Sequence, residues 1–136
     1  MPLIYRVMRP DGNQPMIGET ATSLGVRVPR DISVDDAGNV HSDSAGMSVA
    51  PSLRDLPFYL VPRRLSNLRR GAKGNNNHNV WRHGTGAFID GAVAEKLVLR
   101  VTSDVHGVVA PSETIAFSEY VNALHETREG WLIDEI

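Results

Sequence analysis

The 136-residue chain contains no cysteine. That excludes disulfides, thiolate zinc sites and a cysteine nucleophile. A strong charge of either sign is missing too. The formal net charge is −2, whereas a dedicated duplex-binding protein carries a marked basic excess. No apolar run approaches the length that spans a bilayer. The first residues, Met1 to Arg9, are interrupted by Arg6 and Arg9 and do not read as a secretory signal. The five histidines are scattered, with no i, i+4 pair and no acidic partner at ligand spacing, so no metal site is expected. What remains is a soluble cytoplasmic chain. Delivery into a target cell by a secretion machine that needs no cleaved signal is compatible with this.

What is present is a turn-rich sequence with 12 glycines and 8 prolines. Its length suits one domain, 1–136, able to bury a core unaided. Leu3 to Met8 reads as the first strand, stopped by Pro10-Asp11-Gly12. Thr20 to Val28 is ambiguous, with Gly25 against a helix and Pro29 ending the element. Asp31 to Val34 reads as a short strand with Val40 as its return. Ser52 to Leu60 suggests a helical turn or two, with Ser52 as N-cap and Leu53, Leu56 and Leu60 on one side, cut by Pro57. The stretch 63–79 carries Arg63, Arg64, Arg69, Arg70 and Lys73 and then an Asn-rich tract. With few apolar residues to bury, it reads as a mobile basic loop. Leu97 to Val101 and His106 to Ala110 read as strands, with a turn at Thr102-Ser103-Asp104 and a stop at Pro111. Phe117, Tyr120, Val121 and Leu124 recur at helical spacing, predicting a helix over 117–128 that stops at Gly130. Trp131, Leu132 and Ile133 are expected to cover core surface. The expected class is α+β, a small curved system of short strands with one secure C-terminal helix.

Arg30 to Pro51 holds two turn clusters, Asp35-Asp36-Ala37-Gly38 and Ser42-Asp43-Ser44-Ala45-Gly46. Ser48 follows the second. A glycine there permits close backbone approach, and the serine offers one hydroxyl. Arg6 sits mid-strand. It reads either as a surface arginine or as a phosphate or ribose clamp, for which its planar five-donor fork is suited. His83-Gly84-Thr85 is either an ordinary loop step or a ribose-contacting histidine. His106 opens a strand and is either a structural histidine or a pocket donor. Glu119 and Glu126 share a helix face of the kind that is ordinarily solvated. The basic loop has no interleaved aromatic for base stacking.

Taken in chain order, Tyr5-Arg6, Arg30-Asp31-Ile32, the Gly38 turn, Gly46-Met47-Ser48-Val49, His106-Gly107-Val108-Val109-Ala110-Pro111 and the final helix resemble one family. It is that of the bacterial NAD-dependent effector toxins of type VI secretion, whose fold is similar to ADP-ribosyltransferases. The resemblance spans most of the chain but not the basic loop. It implies a split, curved β-core holding NAD in a cleft. On this resemblance Arg6 corresponds to the first-strand arginine that holds NAD, and Ser48 to the serine that shapes the nicotinamide-ribose site. His106 would be a neighbouring catalytic donor. Tyr5, Gly46, Met47 and His83 would join Arg6 and Ser48 in contacting NAD. His83-Gly84 is similar to the histidine-glycine step of poly-ADP-ribose polymerases, in a different chain order. The chain departs from the pattern in having no Glu/Gln-x-Glu step to supply a glutamate. The implied activity is cleavage of the nicotinamide-ribose bond, with ADP-ribose passed to a macromolecule or water, and a cognate immunity protein as partner.

Two readings from other classes stand beside it. One is a non-enzymatic module that binds RNA or an acidic protein through the basic loop. The other is a structural or antitoxin partner from a toxin operon.

Overall fold

The computed structural model describes residues 1–43 and 45–136. Ser44, in the second turn cluster, lies outside the described residues. In chain order the strands are β1 (Ile4–Met8), β2 (Pro10–Asp11), β3 (Gln14–Pro15), β4 (Asn39–Val40), β5 (Met47–Val49), β6 (Asn79–His83), β7 (Gly91–Ala94), β8 (Leu97–Ser103), β9 (His106–Pro111), β10 (Ile115–Ala116) and β11 (Leu132–Ile133), with one α-helix, α1 (Phe117–Glu126), before β11. The class is α+β, built from small antiparallel sheets. A three-stranded sheet has the order β1-β6-β11, and a four-stranded sheet has the order β5-β9-β8-β7.

The two sheets meet edge to edge. Tyr5 of β1 and Ala50, just beyond β5, exchange both backbone hydrogen bonds, N to O, at 2.8 and 3.0 Å. β1 is therefore paired on both sides, and four of its five residues are buried. Val7 and Ile4 face different apolar clusters. The larger cluster, with Ile4, Met8, Met47, Trp81, Leu97, Leu99, Tyr120 and Trp131, lies under both sheets and α1. The smaller gathers Val7, Ala50, Leu53, Leu56, Val61, Leu65, Ala72 and Val80.

The helix forms where the 3.6-residue periodicity places it, with Tyr120, Ala123 and Leu124 inward. It docks through a buried hydroxyl: Tyr120 Oη donates to Val109 O at 2.6 Å and accepts from Met47 N–H at 3.2 Å. Both bonds fall on the β5–β9 pair that carries Ser48. Burial is the main reason the Tyr120 phenol is pushed well above its ordinary value.

Several expectations need correction. The stretch after β1 does not simply stop. It makes the β2–β3 hairpin, with Gly12 at φ +65°, a conformation that glycine adopts without steric cost. Residues 31–34 form no strand, and β4 pairs instead with β10 from the far end of the chain. Ser52 caps nothing with its side chain. Its hydroxyl donates to Asp55 Oδ2 at 2.8 Å, across a single 3-10 turn at Leu53–Asp55. The 63–79 stretch has more to bury than its composition suggests, because Leu65, Leu68 and Ala72 pack into the smaller cluster. β8 runs on through Ser103, so the turn falls later than Thr102. Trp131 is buried, but Leu132 and Ile133 are 53% and 49% exposed.

Candidate functional site

Where β1 and β5 meet, a cavity of about 410 Å³ opens. It is lined by Arg6 and Val7 of β1, by Ser48, Val49 and Ala50, by Asp55, Leu56, Pro57, Tyr59 and Leu60, by Ala21, Arg27, Arg30 and Asp31, and by Val105 and His106. Small-molecule sites typically fall in a range of about 300–1,000 Å³.

Arg6 explains the local geometry. Its backbone is held in β1, opposite Trp81 of β6, and its side chain is only 5% exposed. The guanidinium donates to three backbone carbonyls: Ser23 O from Nε at 3.0 Å, Ser48 O from Nη1 at 2.8 Å and Thr20 O from Nη2 at 3.3 Å. This ties the irregular 20–23 segment, β1 and β5 together. A guanidinium has five N–H donors, so one on each terminal nitrogen remains. Among the described residues no carboxylate pairs with it. Burial pulls its pKa down to about 10, the Asp31 charge opposing. At neutral pH it is therefore a buried, unpaired cation beside a cavity.

The nearby acid is already committed. Asp31 takes a forked pair of bonds from Arg27, at 3.1 and 3.0 Å, and a third from the Arg27 backbone N–H at 2.8 Å. Burial alone would raise the Asp31 carboxyl, but the Arg27 bonds outweigh it and hold the pKa below the ordinary value. Arg30 is exposed and makes no ion pair among the described residues. Asp55, by contrast, has one oxygen steadied by Ser52 and no other side-chain partner among the described residues.

Ser48 is turned away from the main core because its neighbours Met47 and Val49 point into it, as strand alternation requires. Its hydroxyl makes no hydrogen bond within the described chain. His106 is oriented by Thr102, whose hydroxyl lies 2.6 Å from Nδ1 and 3.0 Å from the His106 carbonyl. A threonine hydroxyl has one proton. With that proton on the carbonyl, Oγ1 accepts from Nδ1–H, and Nε2 keeps its lone pair.

Arg6, Ser48 and His106, widely separated in sequence, thus line one cavity. The other candidate NAD contacts, Tyr5, Gly46, Met47 and His83, do not line it. The Tyr5 hydroxyl donates to Asp134 at 2.9 Å. Gly46 supports the β5–β9 pair: a Cβ there would sit 2.2 Å from the Val109 carbonyl oxygen. The Met47 side chain is core. His83 is buried in β6, opposite Ile4 of β1, packed on Trp131 at 5.3 Å between ring centroids, and its Nδ1 has no partner among the described residues. Arg27, Arg30, Asp55 and Tyr59 line the cavity without having been singled out as site residues. Only the arginines carried a type-level signal, and the turns that bring them in are not periodic.

Among the described residues no group of three His, Asp or Glu side chains could hold a metal ion. No helix among them is long and apolar enough to cross a membrane. No family model matches the sequence, and no curated protein matches it significantly.

Proposed function

We propose that the cavity binds NAD and that the protein is a bacterial toxin of ADP-ribosyltransferase type, acting in the cytoplasm of a cell into which a secretion system delivers it. The observation that carries the reading is the buried Arg6 guanidinium. An unpaired charge held out of water is costly, and an anionic ligand on its two spare N–H groups offsets that cost. Arg30, which makes no ion pair among the described residues, adds positive charge on the cavity lining while Arg27 is neutralised by Asp31, which suits a phosphate. Tyr59 offers an aromatic face at the mouth for a flat ring.

In this reading Ser48 bonds the nicotinamide-side ribose. The bond between ribose C1′ and the nicotinamide nitrogen breaks, its electron pair leaving with neutral nicotinamide, and positive charge develops on the sugar. Asp55 supplies the carboxylate that meets this charge, in place of the glutamate that a Glu/Gln-x-Glu step would provide. The acceptor oxygen or nitrogen then bonds to C1′ and gives its proton to His106 Nε2. The acceptor is water or a macromolecule.

The experiment is nicotinamide release from NAD, followed by chromatography, alongside growth arrest on expression in bacteria. Ser48→Ala is expected to slow release about fivefold, as for one lost hydrogen bond. His106→Asn and Asp55→Asn are expected to slow it by about 100-fold or more. Variants that fold like the parent and release nicotinamide at its rate would remove these three residues from the chemistry.

A further inference from the structure

The outer wall of the cavity continues into a surface with its own chemistry. Of the chain's 14 lysines and arginines, six lie between Leu56 and Ile89, where there is no aspartate or glutamate; all 16 carboxylates fall outside that stretch. The near-neutral whole therefore hides a strongly polarised charge distribution.

Two of the six are spoken for. Arg64 pairs with Glu135 at 2.8 Å, and Arg82 with Asp134 at 3.1 Å. Arg63, Arg70 and Lys73 are exposed and meet no carboxylate among the described residues. Among the described residues the Arg69 side chain donates to the carbonyls of Leu56 and Arg70 and meets no carboxylate.

The aromatics missing from the basic stretch itself are supplied by the fold. Phe58 and Tyr59 stand 43% and 61% exposed, edge to face with centroids 5.7 Å apart. Lys73 N–H donates to Phe58 O at 2.9 Å, and the Lys73 ammonium lies 5.7 Å from the Phe58 ring centroid. Lys73 and two partly exposed rings thus form one patch, with Arg70 exposed three residues before Lys73, and Tyr59 belongs both to it and to the cavity.

We propose that this face, centred on Phe58, Tyr59, Arg70 and Lys73, docks a single-stranded nucleic acid at the cavity mouth. Phosphates satisfy the cations, and unstacked bases cover the rings. A duplex satisfies only the charges, because its bases are already stacked. An acidic peptide likewise leaves both rings bare. The proposal goes beyond the NAD reading and stands on this surface alone.

The test is fluorescence anisotropy of labelled oligouridine RNA and oligothymidine DNA, each about 20 nucleotides long to exceed one binding site, without NAD. Binding is expected to weaken steeply between about 50 and 200 mM salt. Arg70→Glu with Lys73→Glu is expected to cost at least about tenfold and to flatten the salt slope by about 1.4. Phe58→Ala and Tyr59→Ala are each expected to cost about fivefold or more. Melting curves confirm that these surface variants fold. Lys96→Gln, outside the stretch, is expected to bind as the parent does. RNA bound more tightly than DNA, or the reverse, supports the docking and identifies the strand. No binding at low salt would overturn the proposal, as would equal binding of a duplex. So would indifference to both aromatic substitutions while oligoglutamate competes, which would make this an acidic-protein surface.

Discussion

Arg6 Nη1 donates to the carbonyl of Ser48 at 2.8 Å, joining residues 42 apart in sequence. The guanidinium is therefore a structural tie as well as a charge facing the cavity, while the Ser48 hydroxyl is free of structural duty. Stability and ligand binding should separate along this line.

Arg6→Met leaves the carbonyls of Thr20, Ser23 and Ser48 without their donor. Loss of about 1–3 kcal/mol is expected, as for buried carbonyls left without a donor, offset in part by removal of a buried charge. Ser48→Ala should stay within about 0.5 kcal/mol of the parent, since its hydroxyl has no partner among the described residues. Urea unfolding of the two variants checks this. Equal stability losses would show that the Ser48 side chain is structural.

Acid should destabilise the fold in two stages. Burial, first, and nearby positive charge hold His78, His83 and His125 below the ordinary imidazole value of 6.5. The unfolded chain then binds more protons just below that value, so stability present above pH 6.5 is lost as pH falls through the folded values. Asp31 and Glu135 are also held low, burial opposing and their arginine partners prevailing. Their contribution is present above the ordinary carboxylate range and is lost as pH falls toward their folded values. Denaturant midpoints measured between about pH 8 and 3 should decline through both windows. His83→Phe, which keeps the packing on Trp131, should blunt the first. A flat profile between pH 7 and 5.5 would contradict the imidazole assignment.

Thr102 should fix the tautomer of His106. Long-range nitrogen-proton NMR on the parent is expected to show Nδ1 protonated and Nε2 bare at a pH where the ring is neutral. Thr102→Val removes the acceptor and should release the ring to the Nε2–H form. Nδ1 found bare in the parent would reverse the proton assignment and make His106 a donor to the cavity rather than a base.

Parts of this arrangement are legible in the sequence for identifiable reasons. β1 shows itself as a compact β-rich run, and α1 through residues that repeat at helical spacing. The alternation around Ser48 also follows from strand geometry. Pairings between distant segments leave no such trace. β4 finds its partner at Ile115–Ala116 rather than in the nearby 31–34 stretch, and no local pattern encodes that choice. The cavity is harder still to foresee. Asp55 and Tyr59 reach it on a segment without regular period, held by Leu53 and Leu56 packing against leucines from the basic stretch. Those leucines, read as too few to bury, pack that stretch against the segment that lines the cavity. Leu132 and Ile133 show the converse, since apolar character in a two-residue edge strand does not guarantee cover.

Thermal denaturation of the purified protein with increasing NAD tests the central claim most directly. A ligand that binds only the folded state stabilises it by about 2.7 kcal/mol at 100 times its dissociation constant, so the melting temperature should climb with NAD and keep climbing logarithmically. The folded variant Arg30→Glu with Tyr59→Ala should climb much less. A melting temperature that does not move at millimolar NAD would contradict the account, as would an equal rise in that variant.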